Sequence, residues 1–485
     1  MSITLLLIII SIIFYLFSNK NKRKNQKIKG PNGIPIFGNL LSMNGELHLK
    51  LQQWYRIYGP IYSIRMGNID TVVLTEYPTI RKAFVENSEA FENRYQLKSR
   101  LALTGCQDLA IQNGEIHTLL KKIVLSEMTT TRIKRMEIHI IQETEKLLKL
   151  LDKHAEEGKP FIINNYFNMF SMNVILRFLF GIDFPYDKLD ESADYVKSIK
   201  SFFTVAGAPM LSDFIPIPLK KSGVFFDSYK ELEIETDKLI EKFKKTRNKE
   251  IENGSYDIDR DESILSKLLN EYEKSNITWE CVSHTCIDII SAGTDTSSNT
   301  LVMAIIELVN NNDIQLKTHS NISTSLFDNK ETVITHSKYR SSINYLSMVI
   351  KETFRKHPIA LTGLPHVTTE DVEIEGYKIE SGTYIIQNIY SSHRCEKFFP
   401  SPDEFIPERF LEPSQANQGL IHFGLGVRDC VGKSLAECEI FTILATLINR
   451  YQFINPNPSK PLCDVGTFGL AQVCPDANII LKKRF

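Results

Sequence analysis

The sequence lacks the features that mark several simple classes of protein. Glycine and proline are sparse, at 23 and 19 of 485 residues, which excludes a collagen-like or low-complexity chain. Basic and acidic residues balance at 57 and 58, so the chain has no excess of positive charge to displace the counterions of a nucleic acid. Its eight cysteines include no C-x-x-C pair. We therefore expect a large globular protein with reduced thiols and no nucleic-acid partner.

Two cysteines and a histidine lie close together at Cys281, His284 and Cys286, where a zinc site is one interpretation. The surrounding residues are apolar and helical in period, and no fourth ligand for a closed zinc site occurs nearby. Buried helix residues are therefore the favoured interpretation of all three.

Charged residues are also missing from Ser2 to Asn19, a stretch that is almost wholly apolar. Residues 1–19 are predicted to form a transmembrane anchor, close to the shortest helix that crosses a bilayer. Six lysines and arginines follow between Lys20 and Lys29 and by the positive-inside rule keep the rest of the chain in the cytosol. A cleaved secretory signal is disfavoured because it needs positive charge before the apolar run. We expect a single-pass protein of the endoplasmic reticulum membrane.

The remaining chain divides into a short hinge and one large domain. Residues 20–40 are basic and then rich in proline and glycine, which predicts a stiff hinge, and residues 41–485 are expected to form the large domain. Hydrophobic periodicity predicts a mainly α domain with small β-sheets. Helices are expected over 136–153, 228–249, 281–309 and 343–356, and hairpins at 61–74 and 372–379. Residues 310–342, rich in Asn, Ser, Thr and His, are expected to form a poor helix or a loop.

The segment from Phe423 to Gly432, F-G-L-G-V-R-D-C-V-G, carries the strongest chemical signal. A cysteine that serves as a durable anionic metal ligand needs backbone N–H groups and a helix N-terminus to stabilise its thiolate. An amphipathic helix is predicted to begin near Gly432, with its positive end directed at Cys430. Gly426 lets the backbone approach a flat cofactor, Phe423 can cover the sulfur, and Arg428 is placed to meet a carboxylate of that cofactor.

This segment matches every fixed position of F-x-x-G-x-R-x-C-x-G and so resembles the haem-ligand signature of the cytochrome P-450 family. The resemblance extends from about residue 30 to residue 481 and implies the cytochrome P-450 fold, a single large haem domain after the membrane anchor. It also implies haem b as cofactor, with Cys430 as the axial ligand of its iron. A dinucleotide-binding loop at Gly424 and Gly426 is rejected, because Asp429 stands where the third glycine belongs.

A second motif, Ala292-Gly293-Thr294-Asp295-Thr296-Ser297, lies inside a predicted long helix. Glycine in a helix interior costs about 1 kcal/mol, so packing alone does not favour this segment. The resemblance implies an oxygen-activation groove in which Ala292 and Gly293 make room for O2. Thr296 would then hold water and oxygen, and Asp295 would relay protons to it. A helix N-cap formed by Asp or Ser is the alternative.

Two further sets of residues gain meaning only from the resemblance. Glu352, Arg355 and Arg409 resemble the family's buried Glu-Arg-Arg triad, which fixes the loop that carries the haem ligand, although an E-x-x-R pair alone is common on solvated helices. The loss of one member would cost about 3 to 5 kcal/mol, because a buried charge is left unpaired.

The two haem propionates need cationic or hydrogen-bonding partners. The resemblance assigns Arg428 to one and His366 to the other. The family's W-x-x-x-R contact is represented here by His117 and Lys121, which keep donors but lose the planar guanidinium. A surface histidine and a solvated lysine are the alternative for these two.

The resemblance implies a monooxygenase that inserts one oxygen atom of O2 into a small apolar substrate and reduces the other to water. Electrons would come from NADPH through a separate flavoprotein reductase, which agrees with the absence of a nucleotide-binding motif. An oxygen-independent haem-thiolate isomerase or dehydratase and a haem-binding protein without turnover remain alternatives; Asp295-Thr296 counts against the first. The family layout suggests substrate contacts at 95–109, Phe202, Phe203, Phe214, Ile289, 359–364, Thr467 and Phe468.

Overall fold

The computed structural model describes residues 27–43, 45–182, 189–206, 210–255, 263–326 and 331–484, together with Ile10, Asn25 and Tyr186. The predicted anchor at residues 1–19 therefore lies outside the described residues, apart from Ile10. Within the described ranges, no helix is both long and apolar enough to cross a bilayer.

The described chain is mainly helical, as predicted. Its first helices are α1 (Leu47–Tyr58), α2 (Tyr77–Arg81), α3 (Ser88–Phe91), α4 (Lys98–Thr104), α5 (Gly114–Glu127), α6 (Thr130–Glu157), α7 (Asn164–Phe180), α8 (Leu189–Ala206) and α9 (Leu211–Phe214). They are followed by α10 (Val224–Glu252), α11 (Ile264–Glu273), α12 (Trp279–Asn310), α13 (Asn312–Leu326), α14 (His336–Tyr339), α15 (Asn344–Lys356), α16 (Ile389–Ser392), α17 (Gln415–Gly419) and α18 (Lys433–Arg450). The four long helices expected from periodicity lie within α6, α10, α12 and α15.

The strands form small sheets at the margin of the helical body. They are β1 (Ile61–Met66), β2 (Ile69–Leu74), β3 (Phe161–Ile162), β4 (His366–Val367), β5 (Val372–Ile374), β6 (Tyr377–Ile379), β7 (Tyr384–Gln387), β8 (Tyr451–Ile454) and β9 (Asn478–Lys483). Their orders are β1-β2-β7-β4, β3-β9-β8 and β5-β6. All described pairs are antiparallel except β2 with β7. The hairpins β1-β2 and β5-β6 are those predicted from the sequence.

The central helix of the fold is α12, which is about 48 Å long and buried along most of its length. It packs against α7, α10, α15 and α18. A Cβ on Gly293 would come within 2.9 Å of the Ile175 side chain on α7. Glycine at this position therefore permits the close approach of α7 and α12.

Of the two interpretations of residues 310–342, a poor helix or a loop, the structure shows a helix over residues 312–326, which form α13. Ile314, Thr318, Ile322 and Leu326 recur every four residues and are buried on one face. Thr318 satisfies its hydroxyl by donating to the Ile314 carbonyl at 2.7 Å. The polar composition concealed the periodicity because one inward position is a threonine.

The described part of the predicted hinge is joined to the β1 strand. The Ser63 backbone N–H donates to the Lys29 carbonyl at 2.9 Å, and its hydroxyl donates to the Ile28 carbonyl at 2.8 Å. A Cβ on Gly30 would lie only 1.7 Å from the Ser63 carbonyl oxygen. Residues 28–30 thus extend the edge of the sheet, and glycine is required for their close approach.

Candidate active site

A cavity of about 330 Å³ lies beside Cys430, between α12 and the start of α18. Its volume is within the range of small-molecule and cofactor sites. Most of its lining is apolar, and the apolar residues come from widely separated parts of the chain. They are Leu109, Ala110, Ile289, Ala292, Phe354, Ile359, Ala360, Leu364, Ile389, Phe423, Val431, Ala436 and Ile440.

The loop before α18 directs the Cys430 side chain toward this cavity. The Cys430 backbone N–H donates to the Phe423 carbonyl at 2.8 Å and closes the loop. Gly426 has a φ of +78°, and a Cβ there would lie 2.0 Å from the Phe84 carbonyl oxygen. Only glycine meets both requirements.

The Cys430 side chain is exposed to the cavity, but the surrounding protein desolvates the thiol and raises its pKa, and the neighbouring Asp429 raises it further. Three groups oppose this shift: the backbone N–H groups of Gly432 and Lys433 and the Lys121 ammonium. The helix N-terminus thus acts in the predicted direction but does not outweigh burial. The thiolate therefore needs a further positive charge in the cavity, which a bound metal ion supplies.

Three cations on the cavity lining, Arg94, Lys121 and Arg428, are called the cationic wall here. The Arg428 guanidinium donates to the carbonyls of Glu92 and Gln112, both at 2.8 Å. Its Nη1 is buried and has no hydrogen-bond partner among the described residues. A buried guanidinium N–H left in this way fits a carboxylate in the cavity.

Arg94 is a member of the cationic wall that the sequence analysis missed, since the suggested substrate segment began one residue later. Its Nη1 donates to the Leu364 carbonyl at 2.7 Å and also contacts His366 Nε2. Its Nε is a second buried N–H without a partner among the described residues. Burial and the nearby Arg428 lower the pKa of Arg94 to about 9, so it stays charged at neutral pH.

The two histidines predicted to contact a cofactor both line the cavity. Burial and then Arg94 lower the pKa of His366 well below its ordinary value. Burial, followed by Arg428 and Lys121, lowers the pKa of His117 to about 3. Both imidazoles are therefore neutral near pH 7 and act as hydrogen-bonding groups instead of cations.

Lys121 holds the loop that carries Cys430 through two contacts. Its ammonium donates to the Val427 carbonyl and to Asp429 Oδ1, the latter at 3.0 Å. The side chain is only 14% exposed, so it is not the solvated lysine of the alternative interpretation.

The second motif divides between the cavity and the protein interior. Ala292, Thr296 and Ser297 line the cavity, whereas Gly293 and Asp295 do not. The Thr296 hydroxyl donates to the Ala292 carbonyl at 2.7 Å. Asp295 is 1% exposed, and its Oδ2 has no partner among the described residues. Burial raises the pKa of Asp295 to about 7.

A second buried carboxyl near this helix face was not predicted. Ser297 donates its hydroxyl to Glu439 of α18. Burial raises the pKa of Glu439 to about 8. No sequence signal identifies this residue, because its environment is created by the packing of α18 on α12.

The structure brings Glu352, Arg355 and Arg409 together in the interior. Arg355 binds both Glu352 oxygens at 2.8 Å, and Arg409 Nε donates to Glu352 Oε1 at 3.1 Å. Arg355 also donates to the His393 carbonyl at 3.3 Å. His393 Nε2 in turn accepts the Ile421 backbone N–H at 3.0 Å. The cluster is thereby linked to the segment that leads into Cys430.

Only part of the suggested substrate-facing set lines the cavity. Leu109, Ile289 and four residues of the 359–364 segment do. The others lie away from it, with Phe202 and Phe203 in the main core and Phe214 against the β1-β2 sheet; Thr467 and Phe468 are likewise absent from the lining. Two lining residues that were not predicted, Ala110 and Asp288, come from the same loop and helix as the predicted ones.

Comparison with known proteins decides the family. The cytochrome P450 family model matches residues 28–481. The chain belongs to the cytochrome P450 family. The "probable cytochrome P450 513A3" of Dictyostelium discoideum is 79% identical over 100% of this chain and 99% of its own length. From the same organism, the "probable cytochrome P450 513A1" is 52% identical over 99% of both chains, and the "probable cytochrome P450 513B1" is 47% identical over 100% of both.

Membership of the family establishes the general chemistry of this P450. It is an oxidoreductase, a haem-thiolate monooxygenase that uses O2, an organic substrate and a redox partner. Its cofactor is haem b, which P450 proteins bind through a cysteine thiolate. The cavity residues fit this group, because a thiol shares one lining with two buried guanidinium N–H groups that have no partner among the described residues.

Proposed function

We propose that this P450 is a membrane-anchored monooxygenase that oxidises a substrate with an apolar body, using NADPH electrons delivered by a separate flavoprotein reductase. The observation that carries the proposal is the cavity that Cys430, the cationic wall and the Ala292–Thr296 face of α12 line together. Its mainly apolar lining favours an apolar substrate. The apolar run at residues 1–19 supports an anchor in the endoplasmic reticulum membrane, where such substrates and a membrane-bound reductase meet.

In this proposal Cys430 would hold the haem iron, and the N–H groups of Arg94 and Arg428 that have no partner among the described residues would bind the propionates. The neutral His366 beside Arg94 orients that guanidinium, and Phe423 covers the sulfur. When bound, haem supplies the redox-active iron for O2 activation, and thiolate donation favours O–O cleavage. Lys121 positions the cysteine loop through its contacts with Val427 and Asp429.

Proton supply is assigned to Thr296 and Asp295. Ala292 leaves space over the α12 face, and the Thr296 hydroxyl can turn from the Ala292 carbonyl to hold a water molecule. Asp295 lies behind this face, where a pKa near neutrality lets it take up and release protons at working pH. Gly293 contributes to this arrangement by permitting the close packing of α12 on α7.

The Glu352 cluster is assigned a positioning role. It fixes the segment before Cys430 through His393 and Ile421, and none of its three residues lines the cavity. Stacking of His422 on Phe354 of α15, with ring centroids 4.0 Å apart, supports the same segment.

The decisive experiment compares the wild type with Cys430→Ala, with Cys463→Ala as the control at an exposed free thiol. After reduction and addition of carbon monoxide, we expect the thiolate-type absorption band in the wild type and the control but not in Cys430→Ala. NADPH consumption with an added P450 reductase then tests turnover. Persistence of the thiolate band in Cys430→Ala would refute the ligand assignment.

The role of Thr296 is tested by product formed per NADPH consumed. Thr296→Ala should retain haem but use NADPH without a matching yield of product, whereas Thr296→Ser should restore the yield. Equal yields in Thr296→Ala and the wild type would exclude the hydroxyl from proton supply.

A further inference from the structure

One carboxyl on the cavity lining has no role in the chemistry described so far. Asp288 lies on α12 four residues before Ala292 and so shares its face; both residues line the cavity. Asp288 Oδ2 accepts the Ala110 backbone N–H at 2.9 Å, which ties the loop before α5 to α12. Among the described residues, the Ala110 N–H is the donor that reaches this carboxyl, and the side chain is partly exposed. Oδ1 is therefore open to a ligand, and a carboxylate on a mainly apolar lining favours a cationic partner.

A second carboxyl, that of Asp108, is not part of the cavity lining but acts electrostatically on Asp288; Asp108 and Asp288 are called the acid pair here. Asp108 is buried and accepts the Thr104 hydroxyl at 2.6 Å and the Ile111 backbone N–H at 2.8 Å. Burial, and next Asp108, raise the pKa of Asp288 well above its ordinary value. Arg100 opposes this shift with a smaller effect than that of Asp108. The charged neighbours of Asp288 therefore make the electrostatic potential at its carboxyl negative.

A buried phenol, Tyr229 of α10, also interacts with the acid pair. It is 3% exposed, and its hydroxyl has no hydrogen-bond partner among the described residues. Burial, and then both carboxyls of the acid pair, raise the pKa of Tyr229. The carboxyls therefore make the electrostatic potential negative at this phenol, as Asp108 does at Asp288.

A purely structural role for Asp288 explains less. Its bond to the Ala110 N–H requires one oxygen, which an asparagine amide would supply without placing a second acid next to Asp108. Arg100 does not form an ion pair with Asp288, and its guanidinium lies over the Phe202 ring at 5.2 Å. A compact group that carries positive charge and N–H donors matches the acid pair better than a structural bond to Ala110 alone or an ion pair with Arg100 does.

We propose that the substrate of this P450 carries a protonated amine on an apolar body, and that Asp288 accepts the ammonium N–H. This inference rests on the proposed function, which makes the cavity the substrate pocket. The apolar body then lies along Leu109, Ile289 and Ile359, while the cationic wall serves the haem.

The test compares two probes of the same shape with the haem-loaded full chain. N,N-dimethyl-4-phenylbutylamine is protonated at pH 7, and (5-methylhexyl)benzene replaces its nitrogen with a CH group. We expect calorimetry to show at least tenfold tighter binding of the amine by the wild type. Asp288→Asn should bring the two affinities within about twofold, and Asp288→Ser provides a second variant without the carboxyl. The control is Asp227→Asn, an exposed position on α10, which should keep the wild-type preference.

Three results would overturn the inference. They are equal binding of both probes by the wild type, an amine preference that survives in both Asp288 variants, and an absorption spectrum showing the amine nitrogen bound directly to iron. The carbon monoxide spectrum of the same samples separates this inference from the proposed function. A missing thiolate band refutes haem-thiolate chemistry, whereas a normal band with no amine preference refutes the role of Asp288 alone.

Discussion

The cavity of this P450 carries opposite charges in two parts of its surroundings. The cationic wall holds Arg94 and Arg428, each with a buried N–H that has no partner among the described residues, and so suits an anionic ligand. The acid pair places one partly exposed carboxyl, that of Asp288, on the lining and suits a cation. The charges acting on Asp288 are Asp108 and Arg100, and no member of the cationic wall is among them. One cavity can therefore recognise two ligands of opposite charge without one site neutralising the other.

The two regions also differ in how rigidly they are built. The cationic wall is held by bonds to backbone carbonyls at Glu92, Gln112 and Leu364, and its cysteine loop is linked to the Glu352 cluster. In the acid pair, Asp108 accepts the Thr104 hydroxyl and the Ile111 N–H within its own loop, and Asp288 accepts the Ala110 N–H of that loop. The haem side is therefore held by backbone carbonyls, whereas the loop that carries Asp108 is held to the α12 region by side chains, those of Asp288 and Gln107.

The largest expected effect comes from removing the support of the haem side. Glu352→Gln keeps the shape of the side chain but leaves Arg355, which is fully buried, without its counter-charge. We expect the free energy of unfolding to fall by about 3 to 5 kcal/mol, measured by denaturant titration. The control is Glu408→Gln in the neighbouring turn, where the pair with Lys317 is half-exposed and should contribute less than about 1 kcal/mol. Equal losses in both variants would contradict a special role for the cluster.

A carboxyl buried without a cation should reveal itself in the pH dependence of stability, and Glu439 is the clearest case. Its pKa is raised from 4.5 to about 8 in the folded protein, so unfolding releases its proton at neutral pH. Stability should therefore decline as the pH rises from about 4.5 toward 8. Glu439→Gln removes this decline, because glutamine cannot ionise.

We expect Glu439→Gln to equal the wild type near pH 4.5 and to be more stable by about 3 kcal/mol at pH 7. The measurement is denaturant unfolding across this pH range. A constant difference between the two proteins at every pH would show that the carboxyl ionises normally in the folded protein. Glu437→Gln, a half-buried neighbour on the same helix, is the control and should show no such divergence.

The sequence predicts the haem side of this molecule far better than the substrate side. Phe423, Gly426, Arg428 and Cys430 lie within eight residues, so their spacing alone indicates the chemistry. Arg94 could not be predicted in this way, since it reaches the same wall from a distant segment. Asp108 and Asp288 are far apart in sequence and belong to no motif; they meet only because the loop before α5 packs on α12.

The fold shows the same division between local and long-range information. The long helices and the two hairpins follow from periodicity and turn residues that are adjacent in the chain. The sequence could not distinguish α13 from a loop because Gln315 and Thr318 are buried and polar, which hides its inward face. Gln315 is accommodated by bonds with both backbone groups of Phe453 on β8, a partner that no local pattern indicates.

A substitution in the cationic wall should weaken haem binding without changing the preference for the amine probe. Arg428→Gln removes a charged donor, and we expect haem to bind about 10- to 100-fold more weakly, since hydrogen bonds to charged groups contribute about 1.5 to 3 kcal/mol. Haem transfer to apomyoglobin measures this loss. The haem affinity of Arg428→Lys should lie between those of the wild type and Arg428→Gln, because lysine keeps the charge but not the planar guanidinium. The preference for the amine over its carbon analogue should not change, and a parallel loss of that preference would show that the two regions are coupled.

The smallest effect should come from Asp108→Asn, which changes the acid pair without removing the proposed ligand group. Asparagine still offers an oxygen to the Ile111 N–H, but its lost charge no longer raises the pKa of Asp288. Because only ionised Asp288 attracts the ammonium fully, amine binding in the wild type should strengthen as the pH rises through the pKa of Asp288. In Asp108→Asn this rise should begin at lower pH, while the affinity at high pH falls only a few-fold because one negative charge is missing.

Binding of the dimethylamine probe measured across pH distinguishes this behaviour from a simple loss of structure. A distorted pocket would weaken the amine and its carbon analogue equally and would leave the midpoint of the pH profile in place. Arg100 and Tyr229, the other ionisable groups that interact with Asp288, are unchanged by the substitution, so a moved midpoint can be attributed to Asp108. A midpoint identical to that of the wild type would show that Asp288 ionises independently of Asp108.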